Sequence, residues 1–218
     1  MSDDANPTTT TVHLAVYDTL ADWETGLAAA YITNDGWQRR PGTARVVTVG
    51  LTREPVTTMA GTTIVPDIGV DELRPGDSAM LILPGADLWL TGDALAPFVG
   101  AARAFLDAGV PVAAICGATW GLAAAGLLDG RRHTSNAREF LAMSGYAGGA
   151  DYVDEPAVID GDLVTGSGVA PVEFARAVLE RLDLYEPHVL ASWYKLYGQQ
   201  DPAGFAELSG VGAGAGAA

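Results

Sequence analysis

The chain has one cysteine, Cys116, and three histidines among 218 residues. A lone thiol excludes an internal disulfide and fits a reducing cytoplasm. His13, His133 and His188 are widely spaced, and no HExxH or CxxC pattern occurs, so no metal site is expected. A P-loop and a GxGxxG run are missing as well, and no cofactor is expected. Basic residues are scarce: 12 Lys and Arg stand against 27 Asp and Glu, a net charge of −15. That deficit argues against a nucleic-acid surface and against docking on anionic lipid. No apolar run approaches the roughly 18 residues of a membrane span. Met1 to Pro7 is acidic and polar, without the basic and apolar regions of a signal peptide. The expected partner is therefore a small molecule, with no nucleic acid and no membrane.

Hydrophobic residues, by contrast, make up 49% of the chain, ample for a core closed on both faces of a sheet. Residues 1–10 read as a disordered leader, 11–200 as one domain and 201–218 as a flexible Gly/Ala-rich tail. Short apolar runs alternate with helical patterns. Strands are expected at Val12–Tyr17, Ala44–Val49, Ala79–Leu83 and Val112–Ile115, with further short strands near His133 and Leu163. Helices are expected at Glu24–Ile32, Asp93–Asp107, Pro171–Leu182 and Pro187–Tyr197. Strands alternating with helices imply an α/β fold: a flavodoxin-like, doubly wound, mostly parallel sheet with helices on both faces. Ligands of such sheets bind beyond the carboxyl ends of the strands. Glu24, Gly85 and Cys116 all fall at such ends.

The run Pro111-Val-Ala-Ala-Ile-Cys116-Gly-Ala-Thr-Trp-Gly121 carries the sharpest signal. A β-branched apolar stretch breaks into small residues that open a helix, with the thiol at the break. This is the arrangement of a cysteine nucleophile elbow. Unsatisfied N–H groups and a partial positive charge at a helix N-terminus favour thiolate, so a thiol pKa below the ordinary value of about 8.5 is expected. A buried inert cysteine would give the same local run.

The same run, continued by Ala125-Gly-Leu-Leu-Asp-Gly-Arg-Arg-His-Thr-Ser-Asn136, resembles the DJ-1/PfpI family of the class I glutamine-amidotransferase-like superfamily. Asp22-Trp-Glu-Thr25 after the first strand, Leu81-Ile-Leu-Pro-Gly-Ala86, and Leu163-Val-Thr-Gly-Ser-Gly168 with Pro171-Val-Glu-Phe-Ala175 are similar to three further motifs of that family, in its order. The resemblance implies Cys116 as nucleophile and Glu24 as its proton partner. It also implies an oxyanion hole from the backbone N–H groups of Gly117 and Ala86, and a homodimer. The family carries glycine where Ala86 stands, and alanine narrows the allowed backbone conformations. The activities implied are those of a hydrolase or amidase, a hydratase or a glyoxalase-type lyase on a small electrophile. The alternative is a non-catalytic redox sensor that uses oxidation of Cys116.

Several positions keep two readings. Glu24 is also a carboxylate that a helix dipole would favour, and Asp22 reads as a cap or a solvated charge. Many DJ-1-like members place histidine twenty residues after the cysteine; here Asn136 stands there, able to orient a substrate but not to act as a base. His133 is close in sequence, yet strand alternation turns 133 and 136 to opposite faces, which favours a structural histidine. A PfpI-type histidine beside the cysteine is replaced by Gly117. Without a histidine a glutaminase triad is disfavoured. Trp23, Trp89 and Trp120 neighbour the site segments. They either wall an aromatic substrate pocket or simply pack.

Overall fold

The computed structural model describes residues 10–214. The expected leader, apart from Thr10, lies outside the described residues, as do residues 215–218. Seven strands form one sheet in the order β5-β2-β1-β6-β7-β9-β8. They are β1 (Thr10–Ala15), β2 (Ala44–Gly50), β5 (Ile68–Gly69), β6 (Met80–Leu83), β7 (Val112–Ile115), β8 (Ala157–Asp160) and β9 (Leu163–Gly166). All neighbours pair in parallel except β8, which runs antiparallel to β9 at the edge. A separate two-stranded hairpin joins β3 (Val56–Thr57) to β4 (Thr63–Ile64).

The central strands are short, unbroken apolar runs, and period-two alternation divides them between two cores. Leu81 and Leu83 of β6 and Val112 and Ala114 of β7 face one side. They meet helix α2 (Ala96–Asp107) and helix α3 (Gly117–Ala124) through Phe98, Phe105 and Leu122. Met80, Ile82, Ala113 and Ile115 face the other side. Helices α1 (Asp22–Thr33), α5 (Pro171–Arg181) and α6 (Pro187–Tyr197) cover that side with Ile32, Phe174, Val178 and Trp193. Each such side chain, fully buried, contributes about 1.5–3 kcal/mol over its exposed state. The fold is the doubly wound α/β type expected from the sequence.

Three expectations need correction. His133 belongs to no strand; it forms only an isolated parallel bridge with Tyr152, and helix α4 (Arg138–Ala142) follows. The antiparallel edge strand β8 was not foreseen. The tail expected to be flexible from 201 is helical over Ala203–Gly214, as α7. Leu208 is fully buried in the α6 core. Gly204 lets the two helices close: a β-carbon there would lie 2.6 Å from the Ser192 carbonyl oxygen. Tertiary docking thus overrides a composition that disfavours helix.

Candidate active site

Strand β7 ends at Ile115, and the chain turns into α3 at Cys116, whose φ of 57° and ψ of −122° lie in the left-handed half of backbone space. A non-glycine residue held there stores on the order of 1–3 kcal/mol of strain. The surroundings hold it there. The Cys116 N–H donates to Gly166 O at 3.0 Å, and its carbonyl accepts from Thr119 N at 3.1 Å and from the Thr119 hydroxyl at 2.5 Å. Space for the side chain comes from two glycines. A β-carbon at Gly85 would lie 2.8 Å from Cys116 Cβ, and one at Gly168 would lie 2.8 Å from Cys116 Sγ.

Glu24, in the first turn of α1, is fully buried. Its Oε2 accepts the Gly85 N–H at 2.6 Å, while its Oε1 has no hydrogen-bond partner. That unpartnered oxygen and the sulfur flank one point, since the absent β-carbon of Gly168 would be 3.0 Å from Oε1 and 2.8 Å from Sγ. Asn136 joins the group from the other side. Its Nδ2 donates to Cys116 Sγ at 3.2 Å and its Oδ1 accepts the Gly168 N–H at 2.8 Å. Thus the segments containing Glu24, Gly85, Cys116, Asn136 and Gly168 converge on one sulfur.

The electrostatics differ from the sequence expectation. Burial and the neighbouring Glu24 charge push the Cys116 thiol up to about 11, against the opposing pull of the Asn136 amide and the Gly117 N–H. Burial likewise lifts Glu24 from 4.5 to about 7, opposed chiefly by the Gly85 N–H. The helix terminus is outweighed by desolvation and by a second acid in the same pocket. The carboxyl therefore gives up its proton before the thiol does, and its charge opposes a second one on the sulfur.

The remaining candidates divide. Ala86 adopts an extended backbone (φ −160°, ψ 159°), which alanine takes without strain. Its N–H has no acceptor among the described residues. Of the three tryptophans, only Trp23 lines the Cys116 pocket, with Asn136, Val169 and Pro171, in a cavity of about 390 Å³. Its indole N–H donates to Gly168 O at 2.9 Å. Trp89 and Trp120 are not in that pocket; they line a separate apolar cavity with Leu88, Leu95 and Val99. Neither stands where the sequence reading put it, in the wall of the Cys116 pocket, and Trp89 is 3% exposed.

His133 is buried away from the Cys116 pocket, but strand alternation is not the reason, because the segment is no strand. Its Nδ1 pairs with Arg131 O at 2.7 Å and its Nε2 with the Tyr146 hydroxyl at 3.1 Å. His13 pairs with Ser78. Asp22 accepts the Ala60 N–H at 2.8 Å. Sequence reasoning missed Val169, Pro171 and the Thr119–Ser135 hydrogen bond at 2.6 Å that buttresses the elbow. A run of small and polar residues after a strand was the available signal.

A doubly wound sheet whose cysteine sits at a strained strand-to-helix turn, against a buried carboxyl group, defines the class of cysteine-elbow α/β proteins. The pattern of the DJ-1/PfpI family matches residues 10–181, and the chain belongs to that family. It is 42% identical over 200 residues to a protein of Bacillus subtilis (strain 168) named an uncharacterized protease, YoaZ, covering 90% of this chain and 95% of that one. A crystal structure of a ThiJ/PfpI family protein from Bacillus anthracis superposes with a TM-score of 0.87 at 38% identity, covering 94% of this chain and 98% of the other. A deglycase of Thermococcus kodakarensis is 30% identical over 115 residues, which cover 52% of this chain and 67% of the deglycase.

Proposed function

We propose that the protein is a cysteine-dependent enzyme that adds the Cys116 thiolate to an electrophilic carbon of a small molecule, with Glu24 as the proton carrier. The carrying observation is the buried, unpartnered Glu24 Oε1 beside the sulfur. An unpaired buried oxygen is costly, and a proton on it can be donated to a thiolate. In the reactive form Glu24 holds the proton and Cys116 the charge. The S–C bond forms, the carbonyl π pair moves onto oxygen, and the N–H groups of Ala86 and Gly117 receive that charge. Glu24 then returns its proton to the leaving atom or to the adduct. Asn136 holds the sulfur and orients the substrate.

The substrate class follows from the walls. Trp23, Val169 and Pro171 supply apolar surface, and no Lys, Arg or His lines the pocket among the described residues. The cleft alongside adds Asp154, Glu155 and Glu173. Such a site suits an uncharged or cationic electrophile rather than a carboxylate or phosphate. The protease name of the B. subtilis relative would require Glu24 to protonate a departing peptide amine, the part that histidine plays in a Cys-His pair. The relative named a deglycase is consistent with carbonyl chemistry. Action in the cytoplasm as a homodimer completes the proposal, and light scattering tests the assembly.

The test is a screen of small aldehydes, amides, nitriles and isonitriles against the wild type and Cys116→Ser. Turnover by the wild type alone is expected. If no electrophile is turned over while peroxide oxidises Cys116 and changes stability, the redox-sensor reading replaces this one.

A further inference from the structure

We propose that Tyr17 and Trp89 are positioning residues that set the proton affinity of Glu24 through one peptide group, the one joining Pro84 to Gly85. In a trans peptide the carbonyl and the N–H point in opposite directions. The carbonyl of this one faces the core. It accepts the Tyr17 hydroxyl and, at 2.9 Å, the Trp89 indole N–H. The indole nitrogen also lies 3.1 Å from the Tyr17 oxygen, closing a ring of three groups. The N–H of the same peptide faces the site and donates to Glu24 Oε2 at 2.6 Å. Core and site are thus joined across a single peptide plane.

Tyr17 and Trp89 are both buried, so their polar atoms must find partners. Both partners prove to be the carbonyl behind Glu24. Helix α3 fixes the indole in turn, because a β-carbon at Gly121 would lie 2.4 Å from the Trp89 ring. The helix that opens at Cys116 therefore also seats the tryptophan that holds the peptide. Donors on a carbonyl polarise the amide and strengthen what its N–H donates. They also stop the plane from turning. A stronger N–H donor favours the ionised carboxylate and so opposes burial. The other titratable groups near Glu24 are Cys116, from the elbow, and Tyr17 itself, which burial keeps neutral. Asp22, on the same helix, is turned to the Ala60 N–H at the surface.

Loss of the Tyr17 hydroxyl should weaken the Gly85 N–H as a donor, so that Glu24 holds its proton to higher pH. Among singly charged states of the pair, more of the charge then sits on sulfur. A merely structural defect produces neither effect.

The test uses Tyr17→Phe and Trp89→Phe, with Phe98→Leu as control. Phe98 packs edge-on to Tyr17 at 5.4 Å and has no polar side-chain atom with which to bond the peptide. In the Cys116→Ser background, where Glu24 titrates without the thiol, carboxyl ¹³C NMR should show its midpoint rise by roughly 0.2–0.6 pH unit in Tyr17→Phe. Trp89→Phe should move it the same way, and Phe98→Leu should lower Tm without moving it. With Cys116 present, the acid limb of iodoacetamide labelling should shift upward while the plateau rate does not fall. A Glu24 midpoint that is unchanged or lowered in both folded variants, or moved equally by Phe98→Leu, overturns the proposal. The NMR result does not depend on turnover. If Glu24 responds as stated but Glu24→Gln retains full activity, the proposed proton carrier fails and the peptide relay stands.

Discussion

Two cavities adjoin helix α3, and they look alike from the sequence because tryptophans sit beside both. The cavity at its N-terminus, about 390 Å³, holds Trp23, Glu24, Cys116 and Asn136. The cavity on its flank, about 270 Å³, holds Trp89, Trp120, Leu95 and Val99. Both are lined mostly by apolar surface, but on the flank the one buried indole N–H is fully used on Pro84 and Tyr17. The N-terminal cavity contains a buried carboxyl oxygen with no partner and a sulfur held by a single side-chain amide. An apolar lining makes a hole, whereas unspent polar atoms make a candidate site.

The sharpest way to break that contrast is to remove the reactive pair. Cys116→Ala should abolish turnover, a loss of at least about 10⁴-fold, while the fold persists by circular dichroism. Glu24→Gln should lower kcat by roughly 10² to 10⁴. Combined with Cys116→Ser it should cost nothing further, because residues acting as a unit are not additive. Full activity in either single variant would move the site elsewhere.

Glu24 should also leave a thermodynamic trace. Its folded-state pKa of about 7 lies above the ordinary 4.5, so between those values the folded protein binds more protons than the unfolded chain. Its contribution is complete below pH 4.5 and is lost as pH rises through 7, by on the order of 3 kcal/mol. Denaturant titrations across that window should show this fall, and Glu24→Gln should flatten it. The flank cavity carries no buried acid, since its Asp93 is exposed.

Smaller changes sharpen the boundary between the cavities. Trp23 is 53% exposed and walls the cysteine pocket, so Trp23→Ala should raise KM by about tenfold with kcat nearly kept. Trp120→Leu should leave kcat/KM within about twofold and lower stability by about 1 kcal/mol. His133→Ala should behave like Trp120→Leu in kinetics, though losing two hydrogen bonds at a buried site costs about 2–3 kcal/mol. A thousandfold loss in kcat for His133→Ala would place it in the chemistry after all.

The elbow was legible because it depends on local chemistry. An apolar strand, a thiol and a run of small residues fix where the turn falls, and Gly85 and Gly168 clear the space it needs. The separation of His133 from Asn136 was expected for a reason that does not apply, since the segment is no strand and the ring is held instead by Arg131 O and the Tyr146 hydroxyl. What escaped depends on distance and burial. Nothing local tells that Trp23 turns to the thiol while Trp89 turns to the core. The direction of the Cys116 shift was misjudged because the helix terminus can be read from the sequence, whereas desolvation beside Glu24 cannot. Helix α7 escaped because Leu208 and a close α6 contact outweigh four glycines.

Two of those glycines, Gly210 and Gly212, lie in the helix interior and cost about 2 kcal/mol of helix propensity relative to alanine. The helix is held by Leu208 and by the Glu207 carboxylate, which meets Ser192 Oγ at 2.6 Å and Lys195 Nζ at 2.6 Å. Such an element undocks by itself, without waiting for the sheet to open. In native-state hydrogen exchange its amides should form the earliest-exchanging cooperative unit. Raising the salt should hasten them by screening the Lys195–Glu207 pair, and the amides of β6 and β7 should not notice.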